Sequence, residues 1–71
     1  MYQYVFVYSN EDGGGTVGIA ANTLKDSLTV IAVNNEEVYR YQDCRLLNKT
    51  LLLDDTTPCI MFDQFCPFRR A

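Results

Sequence analysis

The side chains of this 71-residue chain that could do chemistry are carboxylates, thiols and phenols, because the chain contains no histidine. Without histidine there is no imidazole general base and no Ser-His or Cys-His nucleophile. Paired carboxylates can serve two-carboxylate hydrolysis or bind a divalent cation. The three acidic pairs, Glu11-Asp12, Glu36-Glu37 and Asp54-Asp55, fall at predicted turns or ends of elements. We therefore interpret them as solubilising turn residues, and we expect no enzymatic activity.

The three cysteines, Cys44, Cys59 and Cys66, show neither the number nor the spacing of a disulfide framework or a zinc site. An odd count suits a reducing compartment, where cysteines persist as thiols. A structural zinc site usually needs closely spaced ligand pairs, and the chain has no Cys-x-x-Cys. The sequence predicts free thiols and neither a metal nor a cofactor.

A run of three glycines, Gly13-Gly14-Gly15, is the one motif that could suggest a phosphate-binding loop. Such a loop normally connects a strand to a helix N-terminus and is often followed by a lysine. Here the run lies between two predicted strands, and the nearest lysine is Lys25. We predict a flexible hairpin tip over residues 9–15 instead.

Residues 39–49 contain the only stretch that could resemble a nucleic-acid platform, in which aromatic rings stack on bases and cations hold phosphates. Tyr39 and Tyr41 alternate with Arg40, and Arg45 and Lys49 follow as further cations. A strand would place Arg40 on the opposite face from the two rings. The formal net charge of −3 also disfavours phosphate binding. Single-stranded nucleic-acid binding is therefore a remote alternative, and nucleic acid is an unlikely partner.

The first strand carries the strongest pattern in the chain. Tyr2, Tyr4, Phe6 and Tyr8 fall on one face, and Gln3, Val5 and Val7 on the other. A strand that faced water on one side would be polar at every second position. Both faces of this strand are expected to need cover.

The remaining segments predict a single α+β domain over residues 1–71, with one small antiparallel sheet and one helix on a single face. Thr23 is a suitable N-cap, with Asp26 three residues later, and Leu24, Leu28 and Ile31 recur at helical spacing. Residues 29–33 are rich in β-branched side chains, so a strand is the alternative there. The predicted order is β-β-α-β-β-β, with strands over residues 1–8, 16–21, 38–43 (extending to 47), 50–53 and 59–62 and a turn at 48–49.

Composition and hydropathy indicate a folded protein outside the membrane. The chain is 48% hydrophobic and 21% charged, which is typical of a globular domain. No apolar run approaches the roughly 18 residues that a membrane span needs, and no secretory signal precedes the first strand. We expect a cytoplasmic location.

These patterns predict a small non-enzymatic module that binds a protein. Aromatic residues are enriched at interfaces, and the short helix leaves much of the sheet to be covered. The predicted contact residues are tyrosines of the first strand with an acidic rim: Tyr2, Tyr4, Tyr8, Glu11, Asp12, Glu36 and Glu37. The alternative is a homodimer, in which a second sheet face or an edge strand pairs with its own copy.

In size, acidity and single-domain layout, the chain resembles the small orphan proteins that phages encode to inhibit host defence or host enzymes, anti-CRISPR proteins among them. The resemblance is one of type and rests on no shared motif. It implies an inhibitor that acts in the host cytoplasm by occupying a surface of a larger host complex.

Overall fold

The computed structural model describes residues 1–35 and 40–69, and this part of the chain forms one helix and four strands. The elements are β1 (Tyr2–Asn10), β2 (Gly13–Ala21), α1 (Leu24–Asn35), β3 (Arg45–Leu51) and β4 (Cys59–Pro67). All pairings are antiparallel, and the strand order across the sheet is β3-β1-β2-β4. The predicted α+β class, with one antiparallel sheet and one helix, is confirmed.

A tight turn, rather than a flexible glycine tip, joins β1 to β2. Glu11 and Asp12 form the turn, and the Asn10 side-chain oxygen accepts hydrogen bonds from the N–H groups of Asp12 (2.9 Å) and Gly13 (3.1 Å). The three glycines belong to β2 and pair with both neighbouring strands. The prediction of a mobile loop over 9–15 is therefore wrong, because Asn10 closes the turn before the glycines begin.

The glycines of β2 are explained by the close approach of β4. A Cβ added to Gly15 would fall on the backbone carbonyl oxygen of Gln64, and one added to Gly13 would fall on that of Cys66. Glycine is the residue that permits such an approach between two backbones. The glycine run thus serves strand pairing, without any requirement for a left-handed backbone.

The helix begins as predicted. Thr23 Oγ1 accepts a hydrogen bond from the N–H of Asp26 (3.1 Å), so Thr23 is the N-cap. The β-branched segment 29–33 is helical, which rules out the strand alternative. Ser27 and Ile31 are the buried helix residues, whereas Leu28 is half exposed, because the closest approach to the sheet is made by the small serine.

The segment between α1 and β4 contains one described strand where two were predicted. Of the predicted third strand, 38–39 lies outside the described residues, and 40–43 is a loop with Asp43 in the left-handed region (φ 47°). The predicted turn at Asn48-Lys49 is wrong, since both residues lie inside β3 and pair with Val5 and Tyr4. The sheet accordingly has four strands among the described residues instead of five.

The C-terminal strand is longer than predicted. β4 runs to Pro67, and a register shift between Gly18 and Ile19 of β2 accommodates one additional residue of β4. Phe65 packs against the core, and the N–H of Phe68 donates to the carbonyl of Asp12 (2.7 Å). The apolar tail is therefore partly an extension of the sheet.

The helix covers the aromatic face of β1. Side chains from that face of the sheet meet α1 and the loop after it in one core: Tyr4, Phe6, Tyr8, Val17, Ile19, Ala21, Ile31 and Tyr41. On the second face, the Phe62 ring lies over Gly18, beside the buried Val5 and Ala20. The chain thus covers the centre of both faces of its two inner strands. The single described helix, of 12 residues, is too short to cross a membrane.

Candidate interaction surface

The densest cluster of polar side chains surrounds Asp63 of β4. Tyr8 donates to Asp63 Oδ1 (2.6 Å), and Tyr41 donates to Asp63 Oδ2 (2.8 Å). Arg40 Nε lies 2.9 Å from the same Oδ2 and 3.3 Å from the Tyr8 hydroxyl. Gly15 lies between Tyr8 and Phe65 in register, and the rings of those two residues stack with their centres 6.3 Å apart. The cluster joins β1 and β4 to the loop over residues 40–44.

The electrostatics of this cluster favour a structural role. Burial raises the pKa of Tyr41, and its hydrogen bond to Asp63 raises it further. Burial and the bond to Asp63 likewise raise the pKa of Tyr8. Both phenols are therefore protonated donors at neutral pH, and each oxygen of Asp63 already accepts a hydrogen bond. The arrangement holds the loop in place and presents no activated base or nucleophile of its own.

The tyrosines predicted to contact a partner lie mostly in the core. Tyr4 and Tyr8 are each 2% exposed, and Tyr2 is partly buried against the same cluster. Side chains this buried have almost no surface to offer, and the structure places Tyr4 and Tyr8 in the core. The aromatic side chains at every second position of β1 are explained by α1, which covers that face of the strand.

The predicted acidic rim does not lie beside Tyr2. Glu11 and Asp12 are exposed at the turn that ends β1, and Tyr2 is at the other end of that strand. Eight residues at about 3.3 Å each separate the two ends by roughly 26 Å. Glu36 and Glu37 lie outside the described residues. The structure does not bring the described members of the predicted set together.

The most exposed element is an edge strand that the sequence prediction divided in two. All seven residues of β3, Arg45–Leu51, are exposed, and we call them the β3 surface. β3 pairs with β1 on one side only, and α1 packs mainly over β2 and β4. Leu46, Leu47 and Leu51 are 45%, 60% and 66% exposed. Three leucines on one short edge strand form an unusual apolar surface for a chain of this size.

The β3 surface is also basic in a chain that is acidic overall. Arg45 and Lys49 are its only charged residues, and both are exposed. The Lys49 ammonium lies 4.0 Å from the centre of the Tyr2 ring and 5.7 Å from that of Tyr4. These cation–π contacts hold the lysine over the core face of the sheet, with Leu46 and Leu51 of β3 on the same face.

The backbone of β3 has hydrogen-bonding groups that point away from the sheet. The N–H of Leu52 donates to the carbonyl of Met1 (3.0 Å), and Tyr2 pairs with Leu51. Backbone groups alternate in direction along an antiparallel strand. Because the N–H of Leu52 points towards β1, the N–H and C=O groups of Leu51 and Lys49 point outwards, away from β1.

An apolar hollow continues the β3 surface along the chain. Beyond Leu51, the residues Leu52, Leu53, Thr56, Cys59 and Met61 are among those that line an open space of about 390 Å³. Leu53 is almost fully exposed. A second open space, of about 350 Å³, lies between α1 and the start of β4. The first space is lined by residues that follow β3 in the chain, the carboxylate of Asp54 included, and by two residues of β4; no residue of β3 lines either space.

The cysteines are free thiols in the structure. Cys59 and Cys66 are exposed on β4, and Cys44 is partly buried, which raises the pKa of its thiol. Over residues 1–35 and 40–69, no group of three His, Cys, Asp or Glu side chains is placed to hold a metal ion.

Of the nucleic-acid platform considered above, Tyr41 is buried and Arg40 is paired with Asp63, so neither presents a free stacking surface or cation. Tyr39 lies outside the described residues.

The comparisons with known proteins give no relative: the chain matches no family model, no curated protein sequence and no solved structure.

Proposed function

We propose that this chain is a non-enzymatic protein-binding module and that the β3 surface is its contact site. The observation that carries the proposal is that every residue of β3 is exposed although three of the seven are leucines. Folded proteins place most aliphatic side chains inside, and a cluster of exposed ones typically marks an interaction site.

The energy available at this site supports binding. Full burial of a leucine side chain contributes about 1.5–3 kcal/mol. Given their exposed fractions, covering Leu46, Leu47 and Leu51 would contribute roughly 3–5 kcal/mol. Association itself costs several kcal/mol, so these leucines supply part of the binding free energy, and main-chain hydrogen bonds and charge pairs along the strand supply the rest.

Inhibition of a larger host complex is the specific form of this function that we propose. An inhibitor of this kind needs only to occupy a surface that its target requires, and an exposed, leucine-rich edge strand suits that role. The homodimer is the second candidate. A copy that used the second sheet face would meet Phe62 over Gly18, so the remaining site for self-association is an edge strand.

The test compares capture of proteins from the source cells by three forms of the chain. The double variant Leu47→Ser, Leu51→Ser removes two exposed leucines, and Val33→Ser is its control because Val33 on α1 is equally exposed (65%). We expect the wild type and the control to enrich the same protein, identified by mass spectrometry, and the double variant to lose it. A partner retained by all three forms would contradict the role of β3. Sedimentation of the purified chain as a dimer that the double variant dissociates would favour the homodimer.

A further inference from the structure

We propose that β3 binds an extended acidic segment of the partner, which pairs with it as an additional strand of the sheet. This inference rests on the proposed function and adds to it the conformation and the charge of what is bound. Its grounds are the outward backbone groups of β3, its two cations and the order of its side chains.

The backbone of β3 can accept a further strand. The N–H and C=O groups of Lys49 and Leu51 point away from β1, so a neighbouring strand can pair with both residues. An extended peptide that adds to a sheet edge gains affinity from such main-chain bonds and specificity from alternate side chains.

The charge of β3 selects an acidic segment. Arg45 and Lys49 are exposed on this strand, and β3 carries no carboxylate. Opposite charges directly across two strands are stabilising, and like charges are destabilising. Asp54 and Asp55 follow only after the strand has ended, so the acidic residues of the segment belong opposite the Arg45–Lys49 part.

The side-chain order of β3 specifies a pattern for the segment. On the core face, Lys49 lies between Leu46 and Leu51. Side chains on one face of a strand are two residues apart, so the bound segment should carry an aliphatic residue, then an acidic one, then an aliphatic one at alternate positions. The irregularity at Leu47 allows one extra residue between the last two positions.

The same features disfavour a second copy and the opposite edge. Two copies paired through β3 would bring the cations of both strands together with no anion on either strand. At the other edge, β4 has an irregular register, ends at Pro67 and directs the carboxylate of Asp63 towards the core side. Those are features that protect an edge strand against pairing.

The test uses a display library of random twelve-residue peptides, selected against the whole folded chain. We expect the selected peptides to be rich in Asp and Glu, with aliphatic residues at alternate positions. Against the variant Arg45→Glu, Lys49→Glu, the same peptides should bind at least about tenfold more weakly, because two favourable charge pairs become repulsive. The control Lys25→Glu, a change of an exposed lysine on α1, should bind them normally.

A second pair of variants tests the main-chain bonds. Leu51→Pro and Leu51→Ala both remove the leucine side chain, but only the proline also removes the outward N–H. We expect Leu51→Pro to bind the selected peptides about five- to tenfold more weakly than Leu51→Ala. Circular dichroism checks that both variants fold. If Leu51→Pro does not fold, the peptide binding of the variant Arg45→Glu, Lys49→Glu tests the proposal.

Three results would overturn the proposal. The first is the selection of basic or uncharged peptides. The second is that no selected peptide binds the wild type more tightly than it binds the variant Arg45→Glu, Lys49→Glu. The third is a dimer formed through β3 that excludes the peptide. These outcomes are distinct from failure of the proposed function. Capture that depends on Leu47 and Leu51 but not on Arg45, Lys49 or the Leu51 N–H would leave protein binding in place and remove strand addition.

Discussion

Replacement of Asp63 by asparagine tests whether the polar cluster on β4 is a structural lock. Asp63 accepts hydrogen bonds from Tyr8 and Tyr41 and forms an ion pair with Arg40. An asparagine keeps the size of the side chain but has one acceptor oxygen and no charge. One tyrosine hydroxyl loses its acceptor, the other keeps only a neutral one, and the arginine loses its partner.

The cost follows from these three changes. Loss of a hydrogen bond to a charged group costs about 1.5–3 kcal/mol, and weakening a second one to neutral strength costs about 1 kcal/mol. The Arg40 side chain is 39% exposed, so solvent screening limits its ion pair to about 0.5 kcal/mol. We expect Asp63→Asn to lower the free energy of unfolding by about 3–4.5 kcal/mol. A domain of this size has roughly 4–10 kcal/mol in total.

Thermal unfolding followed by circular dichroism measures this change. At about 4–8 °C per kcal/mol, the melting temperature should fall by roughly 12–36 °C. The control is Asp55→Asn, which removes an exposed carboxylate outside the strands and should change the free energy by no more than about 0.5 kcal/mol. A melting temperature for Asp63→Asn within about 3 °C of the control would refute the view of Asp63 as a lock.

Three further predictions concern pH, strand pairing and thiols. Tyr41 has a pKa above its ordinary value of 10, so the contribution of this phenol to the free energy of unfolding should be constant below pH 10 and be lost at higher pH; urea titrations should show a smaller fall above pH 10 for Tyr41→Phe. Gly15→Ala should lower the free energy of unfolding, measured by urea titration, by about 2–3 kcal/mol, because its Cβ would fall on the carbonyl oxygen of Gln64. Gly14→Ala should cost less, because its Cβ would lie 3.0 Å from the nearest atom. With iodoacetamide at pH 8, mass spectrometry should find Cys44 alkylated more slowly than the two exposed cysteines of β4. These predictions would be contradicted by an equal loss of stability in the two glycine variants, by equal alkylation rates of the three cysteines, or by a fall in stability above pH 10 that is the same in Tyr41→Phe as in the wild type.

Local signals were sufficient to predict β1 and α1. The period-two pattern of β1 and the Thr23 N-cap with helical spacing after it are both read within a few residues. The class of the fold follows from the succession of these elements. Which face of β1 the helix covers depends on tertiary packing, and the aromatic stripe alone did not determine it.

Long-range pairing explains the errors in the sequence-based prediction. Asn48-Lys49 has a composition that permits a turn, but its pairing with Val5 and Tyr4 makes it part of a continuous strand. Gly13 and Gly15 have the composition of a loop, but the approach of β4 from some fifty residues away in the chain makes them part of β2. Propensity is a weak guide where such contacts decide the structure.

The candidate site was missed for the same reason. The prediction followed the tyrosines of β1, which are buried, and it divided the β3 surface at a turn that does not exist. The signal available in the sequence was the leucine-rich run from Leu46 to Leu53, which holds more aliphatic side chains than so small a core can cover. Recognising that run as one edge strand requires the pairing with β1.

Photo-crosslinking in the source cells tests the central claim most directly. A benzoylphenylalanine in place of Leu47 puts a reactive group on the β3 surface, and one in place of Val33 puts it on an equally accessible part of α1. We predict that irradiation joins the chain to a specific protein from position 47 and that position 33 gives little or none of that adduct. An adduct formed equally from both positions, or from position 33 alone, would contradict binding through β3.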